Sequence, residues 1–181
     1  MTSMFDDIRA RLKKMDGAEI IVGVQGEPGT NFAGQNVSAS ENLQKIARVH
    51  EFGCDIDVTP KMRAWLHHNG IHLKAETTKI HIPERSYIRR AHADGKADFK
   101  TAFSDLVNLL FLGKITEEEL MDKLGKQAMT DTYANMGDGT KPVTQLALQR
   151  RKTSPNPSPL IDTGDLKQHI TYRIVKKGGA S

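Results

Sequence analysis

The chain has a single cysteine, Cys54, in 181 residues, so no intrachain disulfide is available and nothing in its cysteine usage points to an oxidising compartment. Aromatic residues make up only 6%, with one tryptophan. Trp65 and Tyr87 lie near basic residues, but they are too few and too separated to form a stacking platform for single-stranded nucleic acid, and packing is their expected role. No apolar run approaches the length of about 20 residues that a membrane-crossing helix requires. The opening MTSMFDDIRARLKKM lacks the apolar segment of a signal peptide. A soluble protein made inside the cell, with no membrane partner, is expected. Neither G-x-G-x-x-G nor G-x-x-x-x-G-K-S/T occurs, which removes dinucleotide and P-loop chemistry.

Catalytic and metal-binding constellations are thin as well. The triplet Asp162-Thr163-Gly164 is also the catalytic triplet of aspartic proteases, but that chemistry needs two carboxylates sharing a proton, and the chain has one copy. Asp165-Leu166-Lys167 then reads as a helical turn. Asp162 or Thr163 is therefore expected to act as a structural cap, accepting from the free N–H groups that open a short helix. The group His50, Cys54, His67, His68 and His72 lacks the two clear ligand pairs of a structural zinc site. WLHHNG lacks the downstream part of a His-Asn-His nuclease, and no nucleophile elbow supports a Ser-His-Asp triad. No catalytic residue, metal or cofactor is expected.

What the chain does carry is charge, unevenly spread. Lys and Arg number 26 against 22 Asp and Glu, a net of +4. Residues 1–60 hold 6 basic and 9 acidic side chains and residues 101–140 hold 3 and 7, whereas residues 61–100 hold 9 and 4 and residues 141–181 hold 8 and 2. The basic segments suit contact with acidic protein surfaces or nucleic acid.

The length fits one domain over 1–181. Phe5, Ile8, Leu12 and Met15 recur at helical spacing until Gly17, and AEIIVGV then alternates as a strand. Residues 25–40 are Gly-rich and polar and read as an exposed loop. Ser38 with Glu41 matches a capping box for a helix that carries Leu43, Ile46, Ala47 and His50 on one face and stops at Gly53. Residues 54–77 show no steady period and read as an insertion, an irregular arm or short hairpin, before TTKIHI resumes alternation. A core helix is expected over 98–112, ended by Gly113, and a second from the Thr116–Glu119 capping box toward Gly137. A short helix VTQLALQRRK, a Pro-rich connector at 153–159 and a last strand HITYRIV follow. The expected fold is α+β, a small antiparallel sheet with two longer helices packed on one face, plus extended loops or arms.

Four stretches in order carry a resemblance: IARVHEFG at 46–53, IHIPERSYIRRAHAD at 80–94, LALQRRK at 146–152 and SPLIDTGDLKQHITYRI at 158–174. Together they resemble the tail-completion, or neck, proteins of long-tailed bacteriophages, the virion-morphogenesis family. In that family a helix ends in a His-Glu-Phe-Gly-like turn, an Ile-Pro-x-Arg-x-aromatic segment leads into two helices, and Pro-Leu-x-x-Thr-Gly-x-Leu precedes a last strand. The resemblance spans residues 46 to 175, with 54–77 longer than the minimal pattern. It implies a non-enzymatic virion protein, made in the host bacterial cytoplasm, that sits in the neck or tail where the filled head meets the tail. It implies a homo-oligomeric ring around the DNA channel, expected to be a hexamer, with neighbouring neck and tail proteins such as the connector and the tail terminator as partners. DNA contacts would be non-specific and to phosphates, and Arg89, Arg90, Lys96, Arg150, Arg151 and Lys152 are the candidates for them or for partner-protein contacts. Two other readings stay open: a tail-terminator subunit, and a metal-dependent nucleic-acid enzyme that uses the histidine group.

Overall fold

In the computed structural model, which describes residues 4–136 and 164–176, the two stretches with the clearest alternation pair with each other. Strand β1 (Ala18–Val24) runs antiparallel to β6 (Ile170–Lys176), from Ala18 opposite Lys176 to Val24 opposite Ile170. The other side of β6 pairs with β2 (Gly29–Asn31), and β2 with β3 (Asn36–Val37), giving one antiparallel sheet in the order β1-β6-β2-β3. The stretch 25–40 is thus not simply an exposed loop, because it supplies two strands. Asn31 is the physical reason: its side-chain oxygen accepts from the N–H groups of Ala33 and Gln35 at 3.0 and 2.9 Å, closing a tight turn between them. Gly29 brings β2 close to β6, since a Cβ there would lie 2.9 Å from Thr171 Oγ1.

The helices are α1 (Met4–Met15), α2 (Glu41–Phe52), α3 (Pro60–His68), α4 (Ile88–Asp94), α5 (Lys96–Phe111), α6 (Glu117–Asn135) and the one-turn α7 (Asp165–Gln168). The capping box at α6 forms in both directions, Thr116 N–H to Glu119 Oε2 at 2.9 Å and Glu119 N–H to Thr116 Oγ1 at 3.2 Å. At α2 the expected start is displaced by two residues. Ser40 is the N-cap, its Oγ accepting from Leu43 N–H at 3.3 Å, so Ser38 and Glu41 form no box.

Helix α6 lies on β1 and β6, and α1, α4 and α5 pack against α6. Two apolar clusters result. One joins Ala47, Tyr87, Met129, Met136, Leu166, Ile170 and Tyr172 around the sheet, and the other joins Leu110, Leu120 and Leu124 between α5 and α6. The fold is α+β, with a small antiparallel sheet and several helices, as the periodicities predict.

The stretch 54–77 is more regular than expected. Strand β4 (Cys54–Asp57) pairs antiparallel with β5 (Lys79–Ile82), Cys54 facing Ile82 and Ile56 facing Ile80, with α3 between them. Thr59 caps α3, its Oγ1 accepting from Met62 N–H at 3.2 Å, and Pro60 starts the first turn. The return path from α3 to β5 is held by one side chain: the Arg63 guanidinium donates to the carbonyls of Leu73, Lys74, Ala75 and Thr77. An arginine that satisfies four carbonyls gives order to a segment without hydrophobic periodicity.

Candidate functional site

On α2 the positions Leu43, Ala47 and Glu51 recur every fourth residue, and the stripe that begins apolar ends in an acidic residue that is 4% exposed. Glu51 meets the start of α4. The N–H groups of Tyr87, Ile88 and Arg89 donate to its carboxylate at 2.9, 3.0 and 3.0 Å, the Ser86 hydroxyl at 2.7 Å and Arg89 Nε at 3.1 Å. These N–H groups are the orphan donors of a helix start, and Tyr87, at the N-cap position, has no side-chain bond to offer them. Burial by itself raises the Glu51 pKa. The N–H groups of Arg89 and Ile88, the Ser86 hydroxyl and the Tyr87 N–H outweigh it and hold the carboxyl below its ordinary value.

Arg89 closes the junction. Its Nη2 donates to the Glu51 carbonyl at 2.7 Å and to the Glu84 carboxylate at 2.8 Å, and its guanidinium sits 4.6 Å from the centre of the Phe52 ring. Arg85 N–H donates to the His50 carbonyl at 2.7 Å. Gly53 allows the tight passage, with a φ of 68° and no room for a Cβ, which would lie 2.8 Å from Glu84 N. Stretches 46–53 and 80–94 are therefore one structural unit that grips both roots of the β4–α3–β5 arm.

A cavity of about 340 Å³ lies between β1, α4, α5 and α6. Ile20, Val22, Ile88 and Phe99 wall it, with Asp131, His92 and Lys96 as its ionisable residues. Burial pushes the Asp131 pKa up, the Gln127 amide donating at 2.9 Å opposes the rise, and the Asp98 charge adds to it. The Thr132 hydroxyl beside it is committed to the Ala128 carbonyl at 2.9 Å. The cavity can take a small apolar group near a carboxyl whose pKa burial raises.

Under the sheet, the Tyr172 ring packs against α6 at Gly125, where a Cβ would come within 2.2 Å of it. Its hydroxyl donates to Asp122, which also pairs with Lys126 at 2.7 Å. Tyr87 is fully buried, and burial together with the Glu51 charge drives its pKa upward.

The sequence-predicted site residues serve different parts of this fold. Arg89 belongs to the Glu51 junction. Arg90 ties α4 to the end of α6, its Nε donating to Asn135 Oδ1 at 2.9 Å and its Nη2 to the Asn135 carbonyl at 2.7 Å. Lys96 is exposed at the cavity. Arg150, Arg151, Lys152, Asp162 and Thr163 lie outside the described residues, as do the expected helix VTQLALQRRK and the connector 153–159. The N-cap position of α7 is Gly164, in the left-handed region with a φ of 84°. His67 and His72 meet edge to face at 4.6 Å in the arm. Among the described residues no group of three or more His, Cys, Asp or Glu is placed to hold a metal.

Sequence reasoning missed Glu51, Asp131 and Gly125. For Glu51 a signal existed, an acidic residue on the core stripe Leu43-Ala47, and for Gly125 another, a glycine inside a helical pattern. Compared with known proteins, the chain matches no family description, no curated protein and no solved structure.

Proposed function

We propose that this chain is a structural subunit of a tailed-bacteriophage virion that completes the tail or joins it to the head, as one copy in a ring around the DNA channel. The observation that supports this reading is the Glu51 junction. The family resemblance rests on short stretches separated in sequence, and two of them, 46–53 and 80–94, form one hydrogen-bonded unit. The residues that resemble the family are thus the ones that hold an arm to a packed body. A rigid body with a gripped arm suits a part that works through its surfaces. Neighbouring copies and neck or tail proteins are its partners. DNA passes such a ring without being held, so its contacts are weak and to phosphates.

The test is genetic and visual. Removing the gene from the virus that carries it leaves filled heads and separate tails in electron micrographs, and adding the purified protein joins them. Complete virions formed without it would exclude the assignment. Duplex binding by the isolated protein is expected to be sequence-blind and to weaken steeply as salt rises. Tight binding that survives high salt would favour the nucleic-acid enzyme instead.

A further inference from the structure

The cavity between β1, α4, α5 and α6 plays no part in the Glu51 junction. We propose that it is a binding site for a small primary amine, an apolar body whose ammonium group meets the Asp131 carboxylate. The inference does not rest on reading the protein as a ring subunit.

At about 340 Å³ the cavity has the size of a small-ligand site, and its lining has the usual character of one, apolar walls with few polar groups. Ile20 and Val22 line it from β1, Ile88 from α4 and Phe99 from α5, and α6 closes it with Ala128, Asp131 and Thr132. His92 and Lys96, both exposed, mark where it opens to solvent.

One carboxylate oxygen stands ready for a ligand. The Thr132 hydroxyl donates to the Ala128 carbonyl, and Asp131 Oδ1 accepts from the Gln127 amide at 2.9 Å. Asp131 Oδ2 has no donor among the described residues. It lies against Gly95, where a Cβ would stand 3.0 Å away, so a larger residue at that position would crowd it.

The charges around this oxygen select the head group. Neither His92 nor Lys96 forms an ion pair with Asp131. Burial raises the Asp131 pKa, the Gln127 amide opposes the rise, and the Asp98 charge adds to it; no cation lowers it. A carboxylate in apolar surroundings, with a second acid near it and no cation of its own, is stabilised most by a cation brought in from outside. A primary amine supplies that cation and covers the apolar walls with its body. A carboxylate ligand would meet like charge at the same place, and an alcohol would offer a hydrogen bond without the charge.

The full chain, labelled at its isoleucine methyl groups, is to be titrated with benzylamine, benzyl alcohol and benzoate and followed by NMR. Benzylamine is expected to shift the Ile20 and Ile88 signals to saturation, with the alcohol and benzoate binding about tenfold or more weakly. Asp131→Asn keeps the outline of the side chain and is expected to reduce the amine to the level of the alcohol. Ala128→Leu fills the cavity and is expected to weaken both. Circular dichroism checks that each variant folds as the wild type does. Ile20 and Ile88 signals that stay in place, or an alcohol or benzoate that binds as tightly as the amine, would overturn the site. So would either variant binding benzylamine with wild-type affinity.

Discussion

Replacing Glu51 by glutamine keeps the outline of the side chain and removes its charge. Its partners are all donors, so the new amide NH₂ would face N–H groups it cannot accept from. Glu51→Gln is expected to cost about 3 kcal/mol, measured by urea unfolding at neutral pH. The folded-state pKa lies below the unfolded one, so this stabilisation is present above the unfolded value and is lost as pH falls through the folded value. Wild type and variant should converge in stability on acidification, and parallel pH profiles would contradict the assignment. Asp131 carries the opposite sign. Its pKa is raised by burial, so stability is greatest below its unfolded value and declines as pH rises through the folded one. Asp131→Asn is expected to be more stable than wild type at pH 7 and to lack that decline; a less stable variant would mean that the carboxylate has a cationic partner. The HEFG turn drew notice in the sequence, but the role of Glu51 was not legible there, because its partners stand 35 to 38 residues further on.

Among the elements, α6 is set against the sheet by a glycine. Alanine at 125 would gain about 1 kcal/mol of helix propensity, but its methyl group has no place against the Tyr172 ring. Gly125→Ala is expected to lose about 2 kcal/mol net through overpacking, read as a lowered melting temperature. A raised one would show that the ring moves aside freely. Long elements were legible because they bury one face over several turns: α5, α6, β1 and β6 all follow from apolar spacing alone. Of the short ones, β5 and the turn of α7 were legible in TTKIHI and Asp165-Leu166-Lys167, whereas β2, β3 and α3 were not, because single polar side chains decide them. β2 and β3 depend on the turn made by Asn31, and the segment after α3 on the reach of Arg63. The Thr59-Pro60 pair was a start signal for α3 that apolar periodicity could not supply.

At the scale of the whole molecule, the β4–α3–β5 arm makes its main contacts within itself, and its roots stand side by side where Cys54 faces Ile82. Joining these two residues through a two-residue turn, with 55–81 removed, is expected to leave the melting temperature within about 5 °C of wild type. A protein that fails to fold would show that the arm is part of the core. The charge asymmetry was legible in the sequence, whereas the cavity at Asp131 was not, since it is assembled by elements from four separate parts of the chain. The position of β6 bears on time as well as on form. It lies between β1 and β2, and the Thr171 hydroxyl reaches the Gly23 carbonyl across 148 residues of sequence. During synthesis β1 and β2 leave the ribosome long before the strand that must come between them, so the helices can form early while the sheet waits. Closing so long a loop makes sheet formation the slow step of folding, and until β6 arrives two strand edges stay open to mispairing with other chains.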